Sequence, residues 1–196
     1  ILILSHVKEI LAQNFSRLAG LQDIGLWSAG LDVKKKGRIT VAGIQSVWRR
    51  PELWKDIDRI LIDEAHLVND EGMYKSFLSE LGVPYLGLTA TDFRLKGGFI
   101  HGDEGMFDSK IYEAPAKLLT EQGYLAPLVY YGDKTPLDTK GIRTTGGDYN
   151  LKDMSLKFNR SAVTSEICLK IMQYAGERKH ILIFCIDIEH AEGVAK

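Results

Sequence analysis

Short apolar runs alternate with helical patterns along the first half of this chain, and no other feature constrains its fold as strongly. Each run has the length and composition of a buried strand; the runs cover residues 1–4, 24–28, 39–42, 60–62 and 85–88. A helical pattern follows the first run as far as residue 18, and others lie near residues 45–49 and 71–81. Strands that alternate with helices form a mostly parallel sheet with helices on both faces. The sequence therefore predicts an α/β fold.

The second half of the chain shows less regular patterns. A glycine-containing stretch over residues 92–109 is predicted to cross the surface near a cleft. Two helices are predicted, a short one over residues 115–122 and a longer one with one apolar face over residues 161–174. The apolar residues 125–131 predict a β-like crossing to a second lobe, and residues 181–185 predict a buried strand.

Composition is typical of a globular protein. The 196 residues are 45% hydrophobic, which is ample for a core, and a formal net charge of -1 gives no global attraction to nucleic acid. No apolar stretch approaches a membrane span, and the first residues do not read as a signal peptide. Cys168 and Cys185 are too few and too far apart for a disulfide framework. We therefore expect a soluble cytoplasmic protein with no membrane partner.

Residues 60–66 read ILIDEAH and place two adjacent carboxylates, Asp63 and Glu64, directly after an apolar strand. In NTPases the first carboxylate of such a pair holds Mg²⁺, and the second positions or deprotonates the water that attacks the γ-phosphate. An acidic helix start has the same composition, because capping and the helix dipole favour Asp and Glu there. The pair alone leaves these two interpretations open.

A second polar group follows the next apolar run. Residues 85–88 lead into Thr89, Ala90 and Thr91, at the predicted carboxyl end of a strand, where open parallel sheets bind ligands. The two hydroxyl groups either bond the acidic pair or make only local hydrogen bonds to the loop backbone.

At these residues the chain resembles the superfamily 2 helicases and translocases. Residues 63–66 resemble the DEAH form of motif II, and residues 89–91 resemble motif III. Three further motifs match in order, namely Ia (ILILSHVKE, residues 1–9), Ib (ITVAGIQSVWRR, residues 39–50) and IV (ILIFC, residues 181–185). The connecting segments at residues 27–31, 121–127 and 146–149 are most similar to RadD-type repair helicases of bacteria and phages.

The resemblance implies a role for each residue of motifs II and III. Asp63 would hold Mg²⁺, in part through water, and Glu64 would be the general base or water-positioning group in ATP hydrolysis. His66 would couple the nucleotide state to motif III or to the second lobe, since imidazole can both donate and accept hydrogen bonds. Thr89 and Thr91 would relay that state toward the nucleic acid. ATP and Mg are the implied cofactors.

The resemblance also implies a nucleic-acid surface in motifs Ia and Ib. The implied residues are Ser5, His6, Lys8, Gln45 and Ser46. This family grips phosphates mainly with backbone amides and small polar side chains, so binding is expected to be independent of base sequence and to weaken with salt. DNA is the expected nucleic-acid partner, and RNA stays open.

The two ends of the sequence predict a fragment of a longer motor. The chain opens without Met in a strand-like run, and residues 188–196 predict an unfinished helix. It contains no G-x-x-x-x-G-K-[ST] loop, which the resemblance places just upstream. Residues 1–125 would be the first RecA-like domain without its phosphate-binding loop, and residues 126–196 a linker and the start of a second RecA-like domain. The fragment alone is expected to be inactive.

The chain departs from the family directly after motif III. The family has Pro there, whereas this chain has Asp92, which can cap or turn the same backbone. The resemblance implies an ATP-dependent DNA helicase or translocase of DNA repair. Two alternatives stay open, the motor subunit of a restriction system and a nucleic-acid-binding remnant that no longer hydrolyses ATP.

Overall fold

The structure is a computed structural model that describes residues 1–68, 71–94, 98–103, 105–130, 138–145 and 148–196. The chain divides into two units, Ile1–Glu113 and Ala114–Lys196. The first unit contains every residue predicted to form the site. The division into two RecA-like lobes near residue 125 stays a prediction.

A six-stranded sheet forms the centre of the first unit. Its strands are, in chain order, β1 (Leu2–Ser5), β2 (Ile24–Ser28), β3 (Val33–Lys35), β4 (Ile39–Gly43), β5 (Ile60–Asp63) and β6 (Tyr85–Leu88). Their spatial order is β3-β2-β4-β1-β5-β6, and every pairing is parallel except the antiparallel pairing of β2 with β3. The predicted α/β class with a mostly parallel sheet is thus confirmed.

Helices cover the sheet on both faces. They are α1 (Lys8–Leu18), α2 (Ile44–Val47) and α3 (Met73–Leu81). On one face Leu11 of α1 packs with Leu26 and Val41. On the other face α2 and α3 contribute to a larger core around the fully buried Trp54 and Phe77. We refer to these as the α1 face and the α3 face.

The alternation of side chains along β5 and β6 decides which groups reach the α1 face. Ile60 and Ile62 are buried in the core of the α3 face, so Leu61 and Asp63 point to the α1 face. Tyr85 packs against the same α3-face core, so Leu86 and Leu88 of β6 also point to the α1 face, where they are 38% and 51% exposed. The carboxylate of Asp63 therefore emerges beside an exposed apolar surface.

After β6 the chain forms a short hairpin and leaves the sheet. Its strands are β7 (Phe93–Arg94) and β8 (Gly98–Phe99), which pair in an antiparallel manner. The second unit is mostly helical. Its elements are α4 (Ala116–Glu121), the antiparallel pair β9 (Thr144–Thr145) and β10 (Asp148–Tyr149), α5 (Leu151–Phe158), α6 (Ser161–Ala175) and α7 (Ile188–Val194).

Three local predictions differ from the structure. Residues 181–185 form no strand, and Leu182 and Phe184 are 80% and 89% exposed, because in the described residues no strand lies beside them to complete a hydrogen-bond ladder. The described part of the run 125–131 is likewise exposed and irregular. The apolar runs predict no strand at residues 33–35, where pairing with β2 holds the edge strand β3 in place despite its charges.

A close approach at Gly87 of β6 yields a stability prediction. A Cβ atom added there would lie 2.6 Å from the ring of Phe107 and 2.7 Å from Cβ of Ala65. We expect Gly87→Ala to lower the free energy of unfolding by about 1–3 kcal/mol, because the added methyl overpacks this contact. Urea denaturation followed by circular dichroism measures the change.

Gly20→Ala is the matched control, because open space surrounds Gly20. It should leave the free energy of unfolding unchanged or raise it by up to about 1 kcal/mol. Equal stability of the two variants would contradict the close approach at Gly87.

Candidate functional site

The carboxyl ends of β5 and β6 bring the predicted catalytic and coupling residues together. Asp63 ends β5 opposite Leu88 of β6, so motif II and motif III leave the sheet side by side. Nδ1 of His66 lies 3.0 Å from Oγ1 of Thr89 and 3.3 Å from a carboxylate oxygen of Glu64. One hydrogen-bonded group thus connects residues that are 23 positions apart in the chain.

The hydrogen bonds of Thr89 assign the proton on His66. The Thr89 hydroxyl donates to the carbonyl of Thr91 at 2.8 Å and accepts from the Thr91 amide at 3.1 Å. A hydroxyl has one proton to donate, so toward His66 it accepts, and Nδ1 of the imidazole is the donor. The Nδ1 proton is therefore directed to the threonine, and a carboxylate oxygen of Glu64 lies 3.3 Å from the same nitrogen.

The backbone at Glu64 is left-handed. Its φ of 53° and ψ of 50° lie in a region that non-glycine residues adopt at a cost of about 1–3 kcal/mol. The turn reverses the chain after β5 into a single 3₁₀ turn, Ala65–Leu67, instead of the helix start that was one of the two interpretations of the acidic pair. Strain of this kind concentrates at functional sites, so it favours a role for Glu64 beyond capping.

Asp63 is held by two N–H donors. Its Oδ1 accepts from the backbone amide of Glu64 at 3.0 Å, and its Oδ2 accepts from Nδ2 of Asn14 in α1 at 2.7 Å. Burial raises the pKa of Tyr74, and the negative charge of Asp63 nearby raises it further. The sequence analysis did not identify Asn14, although a polar residue on the apolar side of α1 can indicate a buried polar contact.

The carboxylates fit a metal ion that is held by one or two protein carboxylates and otherwise by water and substrate phosphates. In the described part of the chain no group of three or more His, Cys, Asp or Glu side chains could hold a metal ion by itself. Mg²⁺ characteristically binds one or two protein carboxylates and completes its shell with water and substrate phosphates. Asp63 keeps free lone pairs on both oxygens after accepting its two hydrogen bonds, so it fits this mode.

The predicted nucleic-acid residues lie at the neighbouring ends of β1 and β4. Lys8 and Gln45 are exposed, and Nε2 of Gln45 donates to the carbonyl of His6 at 2.9 Å. Ser46 accepts from the backbone amide of Ala29 at 2.9 Å. The side chain of Ser5 is fully buried, and its hydroxyl lies 3.4 Å from the backbone amide of Val7.

Tyr74 lies between this polar edge and the acidic pair. Its ring stacks on His6 with 6.2 Å between ring centroids, while its hydroxyl group is subject to the field of Asp63. Nδ1 of His6 is buried without a hydrogen-bond partner. The two groups of predicted residues therefore meet around one buried aromatic side chain.

The carboxylate and the carbonyl of Asp92 contact residues further along the segment that follows motif III. Its carboxylate lies 2.9 Å from Nζ of Lys110 and 3.2 Å from Nε2 of His101, and its carbonyl accepts from the amide of Ile100 at 2.9 Å. Lys110 also pairs with Glu113 at 2.7 Å. The hydrogen bond from Lys110, and then that from His101, lowers the pKa of Asp92. Side-chain bonds thus restrain the backbone directly after Thr91.

The same segment packs on β6. The rings of Phe107 and Tyr85 meet edge to face with 5.5 Å between centroids, and the Tyr85 hydroxyl donates to the carbonyl of Met106 at 2.5 Å. Ile100 is 4% exposed. The stretch that was predicted to cross the surface is thus anchored to the core of the α3 face, against which Met106 and Phe107 pack.

Comparison with known proteins adds one relative and no family. No family model matches the chain. It is 27% identical over 200 residues to the "51.5 kDa protein" of Lactococcus phage (isolate 7-9), a match that covers 100% of this chain and 40% of the relative. The chain therefore spans less than half the length of this curated relative, whose name states a mass and no activity. Among the described helices, none is long and apolar enough to cross a membrane.

The Asp92 cluster predicts a dependence of stability on pH. Because the pKa of Asp92 in the folded state is lowered from its usual 3.8, its charge stabilises the fold above that value, and this contribution is lost as the pH falls through the lowered pKa. We expect Asp92→Asn to reduce the urea midpoint at pH 7, and the difference from the parent protein to shrink in acid as the pH falls below 3.8 and through the lowered pKa.

Asp103→Asn is the control for this experiment, since Asp103 is an exposed carboxylate in the same segment. It should change the midpoint little at either pH. A difference between Asp92→Asn and the parent that persists unchanged in acid would contradict the ionic origin of the effect.

Proposed function

We propose that this chain is the core of an ATP-dependent DNA helicase or translocase of superfamily 2, similar to the RadD-type repair proteins. In this proposal the sheet of the first unit belongs to a RecA-like ATP-binding domain, and the later residues begin a second one. The observation that carries the proposal is the hydrogen bond between His66 and Thr89 at 3.0 Å, which joins the acidic motif to the threonine motif. A chance pair of carboxylates at a strand end would have no need of this link.

Asp63 is proposed to hold the magnesium ion that accompanies ATP. Bound Mg²⁺ neutralises charge on the β- and γ-phosphates. Two N–H donors fix the orientation of the carboxylate and leave its negative charge unpaired, since no salt bridge in the described residues involves Asp63. It also lies at the carboxyl edge of a parallel sheet, the usual ligand position in such folds.

Glu64 is proposed to position and deprotonate the attacking water. Its side chain is 36% exposed and therefore accessible to a water molecule. The left-handed backbone turns it out of the line of β5, and one of its oxygens lies 3.3 Å from Nδ1 of His66. A carboxylate held in this way retains its second oxygen for the water.

His66 and Thr89 are proposed to transmit the state of the nucleotide. A change at Glu64 alters the hydrogen bond between the imidazole and Thr89. The Thr89 hydroxyl in turn bonds both the carbonyl and the amide of Thr91. Asp92 then carries the connection into the anchored segment over β6. This path consists of direct hydrogen bonds and ion pairs, each of which can be broken by one substitution.

The polar edge of β1 and β4 is proposed to contact the phosphate backbone of DNA. Lys8 supplies a positive charge, and the exposed Gln45, which is bonded to the carbonyl of His6, supplies a polar group at the same edge. Phosphate contacts bear no base information, so we propose a track that is indifferent to sequence. The side chain of Ser5 is buried beneath this surface, so Ser5 would contact the phosphate through its backbone.

The proposed motor requires a phosphate-binding loop, and the 196 residues contain no G-x-x-x-x-G-K-[ST] sequence. The exposed Leu86 and Leu88, on the same face as Asp63, offer an apolar surface against which such an element would pack. The activity is accordingly proposed for the full-length protein.

Glu64→Gln in the full-length protein tests the hydrolytic role. We expect ATP hydrolysis stimulated by single-stranded DNA to fall about 10²–10⁴-fold, the usual contribution of a general base, while DNA binding is retained. A coupled-enzyme assay of ADP release measures the rate, and Glu80→Gln, an exposed glutamate on α3, serves as the control. An unchanged rate in Glu64→Gln, or no DNA-stimulated hydrolysis in the parent protein, would overturn the proposal.

A double-mutant cycle tests the link between the motifs. His66→Ala and Thr89→Ala should each lower DNA-stimulated hydrolysis, and the double variant should be no slower than the slower single variant, because both changes break the same bond. Rates of the four proteins with and without DNA give the coupling. Strictly additive losses would show that the hydrogen bond has no part in stimulation.

A further inference from the structure

Asn14 occupies a position in α1 that packing alone does not explain. Helix α1 turns one side to the sheet, where Leu11 is buried and Phe15 and Leu18 pack against the same core. Asn14 lies three residues after Leu11 and four before Leu18, so it falls on this apolar side. Asparagine is a weak helix former, and a half-buried amide costs free energy unless it is bonded. Some interaction must offset both costs.

That interaction is with Asp63. Nδ2 of Asn14 lies 2.7 Å from Oδ2 of Asp63 across 49 positions of the chain, in a partly buried setting. An ionised carboxylate only accepts hydrogen bonds, so the amide must present its NH₂ group. A hydrogen bond to an ionised acceptor is about twice as strong as one between neutral groups.

The chemistry of the amide suits a carboxylate that must remain free to bind a cation. A lysine or arginine at this place would neutralise Asp63, whereas an asparagine orients it and leaves its charge intact. The amide of Glu64 holds the other oxygen at 3.0 Å, so rotation of the carboxylate is blocked at both ends. The lone pairs not used by these donors then have a fixed direction.

We infer that Asn14 is a positioning residue that orients the carboxylate of Asp63 for a divalent cation. The inference rests on the proposed function, because it presumes that Asp63 binds the metal of an ATP complex. Partners of this kind contribute about 10–100-fold to metal affinity. Asn14 lies outside every motif on which the resemblance to the helicases rests.

The test measures binding of Mn²⁺ to the full-length protein with ADP, followed by electron paramagnetic resonance, so that no turnover is needed. Asn14→Leu fits the apolar side of α1 and removes the donor, and Asn14→Ala removes it without adding bulk. We expect both variants to bind Mn²⁺ about 10–100-fold more weakly. Their thermal midpoints without metal or nucleotide should stay close to that of the parent. Gln13→Leu, at an exposed site on the same helix, should bind as the parent does.

The outcomes separate the inference from the proposed function. If the parent binds Mn²⁺ with ADP and Asp63→Asn does not, while Asn14→Leu and Asn14→Ala bind like the parent, the positioning role is wrong and the metal site stands. If Asp63→Asn binds as well as the parent, or the parent does not bind, then both the metal site and the role of Asn14 are overturned. Equal loss in Gln13→Leu and Asn14→Leu would assign the effect to the helix and reject the role.

Discussion

The parallel pairing of β1 with β4 and β5 is the constraint on which the rest of the first unit depends. Because all three strands run in one direction, their carboxyl ends lie at one edge of the sheet, and residues from distant parts of the chain meet there. Parallel pairing requires crossover connections, and α1, α2 and α3 belong to these crossovers and supply both cores. Burial on both faces in turn explains why the run at β1 is uninterrupted by polar residues.

This arrangement produces a site in which polar groups restrain one another. The carboxylate of Asp63 is fixed by an amide from the next residue and by Asn14 from a helix that follows another strand. His66 and Thr89 join the ends of two neighbouring strands. Ala65, which follows the strained backbone at Glu64, is buried and lies close to Gly87 of β6.

Asp92 shows how side-chain bonds can restrain a backbone without a proline. A proline restricts φ covalently and needs no partners. An aspartate has no such restriction, and here it is held by Lys110, His101 and the backbone amide of Ile100. The consequence is that the backbone after motif III depends on charges some ten to twenty residues away, and so on pH and salt, where a proline would be indifferent to both.

The α/β class, five of the six sheet strands and the helices α1, α2, α3, α4, α6 and α7 were predictable from the sequence, because buried strands and amphipathic helices have distinct periods. The grouping of Asp63, Glu64, His66, Thr89 and Thr91 was predictable as well, because each motif directly follows an apolar run. Local pattern could not predict the edge strand β3, whose charged residues are held by pairing with β2, or the exposure of residues 181–185, which have no strand beside them in the described part of the chain. Nor could it predict Asn14 beside Asp63 or Lys110 beside Asp92, since these contacts depend on how a crossover and a long loop return to the sheet. The sequence by itself determined five of the six strands of the sheet and where the reactive side chains follow them. Tertiary structure alone decided which distant polar groups complete the site, because only the packed sheet sets the distances between them.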